Sequence, residues 1–141
     1  MDLRRRGLLV IAKMALQDGV VAVEERHTLE DMSGGLSADE LDAIIDEARD
    51  LSLDELLSGI DKYEDRFVIA LRAYHMAHSD RSFDIEEELN FDLLVARFGI
   101  TAEDKQLIER VQGAMSGQAP VTPEPRLMTL HRGSSFFEGE R

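Results

Sequence analysis

Residues 18–25 have the sequence Asp18-Gly19-Val20-Val21-Ala22-Val23-Glu24-Glu25 and separate an apolar run from the acidic start of a helix. A stretch of the same layout returns 62 positions later (18 to 80) as Asp80-Arg81-Ser82-Phe83-Asp84-Ile85-Glu86-Glu87. Farther along, residues 35–40 match residues 99–104 at an offset of 64, and one small loop insertion accounts for the difference. The chain is therefore predicted to contain two copies of one helical hairpin, each with an acidic turn at its bend.

The first copy places Asp18-Gly19 after a helix with small residues, and Glu24-Glu25 follows at the start of the next helix. This pattern resembles the tellurite-resistance TerB-like family, which also forms the N-terminal part of some membrane-anchored DnaJ-type co-chaperones. The second copy departs from it, because Arg81 stands where the family has glycine. The resemblance covers about residues 8–111 by alignment of the two copies. It implies a helical TerB-like fold and a stress-response or tellurite-resistance role exerted by binding.

The composition favours one strongly acidic helical domain. The 141 residues are rich in Leu, Ala, Glu and Asp and include no cysteine, which suits a reducing compartment such as the cytoplasm. The formal net charge is −13, and because three arginines balance three glutamates beyond residue 113, all of it lies in residues 1–113. Such a surface repels nucleic acid phosphates and attracts a protein partner with a basic surface.

The N-terminus combines Arg4-Arg5-Arg6 with an apolar run over residues 7–12, which Lys13 ends. This run is too short for a membrane span, which needs about 18 apolar residues, and no small-residue cleavage site follows it. The preferred interpretation is a buried first helix with a cationic edge. Peripheral association of this basic, apolar helix with an anionic membrane is the alternative.

Apolar residues at helical spacing predict an all-α, single-domain bundle of about seven helices. The first helix (about residues 2–17) and the fifth (about 63–78) are expected at its centre, because they are the most apolar. Capping-box spacing marks three helix starts, at Ser37 with Glu40, Ser52 with Glu55, and Asp61 with Glu64. The sixth helix is expected to bury one stripe, widened by four further residues: Ile85, Leu89, Leu93 and Ala96, with Phe91, Leu94, Val95 and Phe98.

The domain is predicted to span residues 1–113 and to be followed by a flexible tail over residues 114–141, which contains three prolines and several Gly and Ser residues. Two apolar islands interrupt this tail, at residues 127–130 and 136–137. They are expected either to dock on the bundle or to stay free. A third hypothesis is that the tail swaps onto a second copy of the chain, so the oligomeric state is left open.

The two acidic turns are the one constellation in the sequence with chemical content. Their carboxylates are hard oxygen ligands suited to calcium or magnesium. The candidate metal ligands are Asp18, Glu24, Glu25, Asp80, Asp84, Glu86 and Glu87. One turn alone falls short of the six to eight oxygens that calcium takes, so the site requires both turns to pool their acids. The register is not that of an EF-hand. When Asp80 is counted as the first loop position, Ile85 stands where glycine is required and Phe91 stands where the bidentate glutamate belongs. Ordinary capping of helix ends is the competing explanation.

Signals for catalysis are weak. His75 and His78 share a helical face and offer at most two zinc ligands. The chain has no cysteine nucleophile, no Gly-x-Ser-x-Gly turn and no phosphate-binding loop. We therefore expect a non-catalytic TerB-like binding module that recruits a basic protein partner or a divalent cation at its paired turns. A hydrolase or oxidase with a carboxylate-bound metal is the alternative.

Overall fold

The computed structural model describes residues 3–16, 23–32, 36–77, 85–115, 117 and 123–134. In this part of the chain it contains eight α-helices and no strand. They are α1 (Leu3–Ala15), α2 (Val23–Met32), α3 (Ala38–Asp50), α4 (Leu53–Leu57), α5 (Tyr63–Ala77), α6 (Ile85–Phe98), α7 (Ala102–Met115) and α8 (Pro125–Gly133). The prediction of an all-α single domain is confirmed, with one helix more than the seven expected.

Helices α1 and α5 form the centre of the bundle and pack against each other. Each is apolar over most of its circumference, so neither has a face that favours water. In α1 the run from Leu8 to Ala12 is buried, and in α5 the run from Phe67 to Leu71 is buried. The sequence predicted this central pair correctly.

The helix contacts repeat with the order of the chain. Within the first four helices, α1 packs on α2, α3 and α4; within the last four, α5 packs on α6, α7 and α8. Across the halves, α2 also packs on α5, and α6 also packs on α1. This pattern is unchanged when α1–α4 and α5–α8 are exchanged. The contacts of α1–α4 therefore resemble those of α5–α8, with α8 in the place that α4 has in the first half, and the repeated hairpin stays a prediction.

The segment from Pro125 to Ser134 is part of the bundle, so the apolar island at residues 127–130 docks, which was one of its two expected positions, and this stretch is not a flexible tail. It forms α8 and packs on α5, with Leu130 only 1% exposed. The Ser134 hydroxyl donates a hydrogen bond of 2.8 Å to the buried carboxylate of Asp65 at the start of α5. Helix α7 also continues through the predicted domain boundary at residue 113 to Met115. Residues 136–137 lie outside the described residues.

A buried carboxylate, Asp104, joins α8 to the starts of α5 and α7. Arg126 of α8 donates to both of its oxygens, at 3.2 and 3.1 Å, and the Tyr63 hydroxyl of α5 donates at 2.5 Å. The Asp104 backbone N–H donates to the hydroxyl of Thr101, which caps α7. Burial raises the pKa of Asp104, but the bonds from Arg126, Tyr63 and Thr101 outweigh it and hold the pKa below 3.8. Asp104 is therefore ionised at neutral pH and satisfied on both oxygens.

Local capping follows the sequence closely. Ser37 and Glu40 form both hydrogen bonds of a capping box at the start of α3, and Ser52 accepts from the backbone N–H of Glu55 at the start of α4. These bonds satisfy backbone donors that a helix start otherwise leaves without a partner. Asp61 has no cap described for α5, so its role stays a prediction.

The expected core stripe of α6 is wrong in its orientation. The buried residues are Phe91, Leu94, Val95 and Phe98, which were predicted only as a widening of the stripe. Leu89 and Leu93 are 62% and 46% exposed, and Ala96 is also exposed. The larger aromatic side chains take the inward face, where Phe91 stacks on Tyr74 of α5 with ring centroids 4.4 Å apart.

Candidate functional site

The predicted metal ligands fall at the edges of what the structure describes. Asp18, Asp80 and Asp84 lie outside the described residues. The other four belong to first turns, Glu24 and Glu25 on α2 and Glu86 and Glu87 on α6, and their side chains also lie outside the described set. The pooling of these carboxylates in one site thus stays a prediction.

The packing of the helices that carry these acids is described. Helix α2 begins just after the first acidic turn and contacts both central helices, and α6 begins just after the second and does the same. Each acidic helix start therefore belongs to a helix shared by the two halves of the fold. This arrangement is compatible with pooling of the two turns.

Both central helices begin at the end of the bundle where α4 lies. Arg6, in the first turn of α1, donates to two carbonyl oxygens of α4 at 2.9 and 3.1 Å. Arg97, in the last turn of α6, forms an ion pair with Asp54 of α4. Arg66, in the first turn of α5, donates at 3.3 Å to the carbonyl of Phe98, where α6 ends. The acidic turns follow the opposite ends of α1 and α5 in the chain.

His75 contacts a buried side chain of α7. Its Nδ1 lies 3.1 Å from Oε1 of Gln112, within hydrogen-bond distance. Gln112 is itself buried in α7. His78, the other half of the predicted zinc pair, lies outside the described residues. Among the residues that the structure describes, no group of three or more His, Asp or Glu side chains could hold a metal ion.

The surface where α5, α6 and α7 meet is negatively charged. Burial raises the pKa of the Tyr74 hydroxyl to about 12, and the carboxylates of Glu109, Glu88 and Asp92 add to the rise. Lys105 lies among these acids, 2.7 Å from Asp92, and this hydrogen bond raises its pKa. The surface that α5, α6 and α7 share is therefore one part of the acidic exterior expected from the net charge of −13.

Sequence reasoning missed an apolar strip on the outside of α6. Leu89, Leu93 and Ala96, here named the outer stripe, follow one another at spacings of four and three residues and so lie on one helical face. The sequence contained the signal, because α6 has apolar residues on two faces. Helical spacing alone does not distinguish these two apolar faces from one wide stripe that faces the core.

An apolar groove separates α7 from α8. Its volume is about 520 Å³, and its rim carries the ion pair between Arg110 and Glu124. Met115 and Met128 stand on opposite walls and are more than half exposed. Nine residues (116–124) connect α7 to α8, whereas two residues connect α3 to α4.

None of the helices in the described part of the chain is both long enough and apolar enough to span a bilayer. Comparisons with models of protein families, with curated proteins and with solved structures gave no match to this chain.

Proposed function

We propose that this protein is a non-catalytic, acidic binding module of the TerB-like, stress-response or tellurite-resistance type. Its two acidic turns together bind a divalent cation, calcium or magnesium, and a basic segment of a protein partner satisfies the same carboxylates. One observation carries the proposal: each helix that follows an acidic turn packs on the central helix of the other half of the chain, α2 on α5 and α6 on α1.

The position of α4 supports the same proposal. Since α1 and α5 both begin beside α4 and pack on each other, their acidic turns are favoured to leave the bundle together at the other end. Carboxylates gathered there repel one another unless a cation lies among them. Binding a cation to the folded chain therefore stabilises it.

Calcium is expected to raise the melting temperature of the wild-type protein. At a concentration ten times its Kd, the stabilisation is about 1.4 kcal/mol, which corresponds to a shift of a few degrees. The variant with Asp18→Asn and Asp80→Asn is expected to show no shift. Differential scanning fluorimetry with and without 5 mM calcium or magnesium measures both.

The matched control carries Asp50→Asn and Glu103→Gln, which remove the same number of charges from exposed positions that belong to neither turn. It is expected to respond to calcium as the wild type does. A wild-type protein that does not respond to either cation contradicts the cation site. A control that loses the response shows that net charge, and not the paired turns, is responsible.

A further inference from the structure

Helix α6 has two apolar faces, and only one of them is covered. Successive residues of an α-helix are about 100° apart, so Leu89 and Leu93 lie almost opposite Phe91 and Phe98. Phe91 and Phe98 are buried in the core, whereas Leu89 and Leu93 are among the four large apolar side chains exposed in the described part of the chain. These two exposed leucines lie one turn apart and so form one contiguous apolar patch on the outer face of α6.

Charged groups border the outer stripe on both sides. On the α7 side, Asp92 of α6 pairs with Lys105, which also lies 3.9 Å from Glu109. On the α4 side, Arg97 of α6 pairs with Asp54. These ion pairs hold α6 to its neighbours along both edges and leave the apolar strip between them facing solvent. An apolar centre with a charged rim is the usual anatomy of a protein interface.

We propose that the outer stripe of α6 docks an amphipathic helix of a protein partner, whose apolar residues contact Leu89 and Leu93 and whose flanks are basic. The small side chain of Ala96 allows the partner helix to approach closely, at the 8–10 Å between axes that is typical of packed helices. Helices bind in this way through anchors at helical spacing. The proposal does not depend on the acidic turns.

The charge of the rim favours a partner helix with basic flanks. Glu88 and Asp92 belong to α6 itself, and Glu109 and Asp54 belong to the charge pairs at its edges, which makes four carboxylates against the two cations Lys105 and Arg97. A second copy of the chain carries the same charges and a net charge of −13, so electrostatics oppose self-association through this face. Lysine or arginine on the flanks of a partner helix complements the rim and speeds the encounter.

The probe is a synthetic 18-residue peptide of leucine and lysine with its leucines on one helical face, and its binding is measured by isothermal titration calorimetry at 150 mM salt. We expect Leu89→Ser with Leu93→Ser to weaken binding at least tenfold. Met115→Ser with Met128→Ser makes the same chemical change at the groove between α7 and α8 and is expected to bind as the wild type does. All four side chains are exposed, and thermal melts confirm that both variants remain folded.

A scrambled peptide of the same composition, with its leucines distributed around the helix, is expected to bind at least tenfold more weakly. If the two peptides bind equally well, charge alone accounts for the binding, and the proposal is overturned. Loss of binding in the Met115 and Met128 variant moves the site to the groove and also overturns it. Sedimentation velocity tests for a dimer. If the wild type is a dimer and the Leu89 and Leu93 variant is a monomer, a second copy of the chain covers the outer stripe, and the proposal is overturned. Retained peptide binding by the Asp18→Asn, Asp80→Asn variant separates this inference from the cation site.

Discussion

Replacing Leu130 by alanine is expected to lower the free energy of unfolding by about 2–5 kcal/mol. Leu130 is 1% exposed and is the buried anchor of α8 on the central helix α5. Its truncation removes apolar contacts and leaves a cavity that the short helix fills only in part. Urea unfolding followed by circular dichroism at 222 nm measures the change as a lower midpoint at an unchanged slope.

Met128→Ala is the control, because Met128 lies two residues earlier on the same helix and is 55% exposed. Its effect is expected to stay within about 0.5 kcal/mol, as for most surface substitutions. Equally small effects of both substitutions would mean that α8 does not dock in solution. A large effect of Leu130→Ala alone shows that the docking of α8 on α5 stabilises the fold.

Replacing Asp104 by asparagine is expected to lower the free energy of unfolding at pH 7 by about 1–3 kcal/mol, the usual contribution of hydrogen bonds to a charged group. Asparagine keeps the shape of the side chain but loses the charge that Arg126 and Tyr63 both contact. Since α5, α7 and α8 meet at this carboxylate, the loss of its charge weakens the contacts among three helices. Urea unfolding at a series of pH values measures it.

The pH dependence follows from the lowered pKa of Asp104. A carboxyl group with a lower pKa in the folded state than in the unfolded state stabilises the fold when it is ionised. Its contribution is complete above the unfolded value, 3.8, and is lost as the pH falls through the lower folded value. The wild type and Asp104→Asn should therefore differ fully at pH 7 and converge below pH 3.8.

Glu103→Gln provides the control for this prediction, because Glu103 precedes Asp104 on α7 but is exposed. Its stability should follow that of the wild type at every pH. If Asp104→Asn differs from the wild type by the same amount at pH 7 and at pH 2, the ionised carboxylate is not what stabilises the junction of α5, α7 and α8.

Features that depend on neighbouring residues were predictable from the sequence. The capping box of Ser37 and Glu40 is local, because each residue bonds to the backbone of the other within one turn. The central position of α1 was equally accessible, since a helix with apolar residues nearly all round must be covered on every side. The repeat of the acidic turns was visible, but the positions of their carboxylates stay predictions.

The orientation of α6 and the docking of α8 were not accessible in this way. Both faces of α6 have apolar residues at helical spacing, and periodicity cannot say which face meets the core. For α8, the local composition of residues 114–141 is typical of a flexible tail, and the order comes from distant partners, Asp104 and Asp65. Contacts between residues far apart in the chain produce no periodic pattern in the sequence.

By itself, the sequence of this protein determined that the chain is helical, acidic and duplicated, because propensity, charge and repetition are properties of the residues in order. The tertiary structure alone decided that α8 packs on α5 as α4 packs on α1, and that Leu89 and Leu93 face solvent. The physical reason is competition for the core: Phe91 and Phe98 remove more apolar surface from water when buried than two leucines do, and the bundle has room for one face of α6.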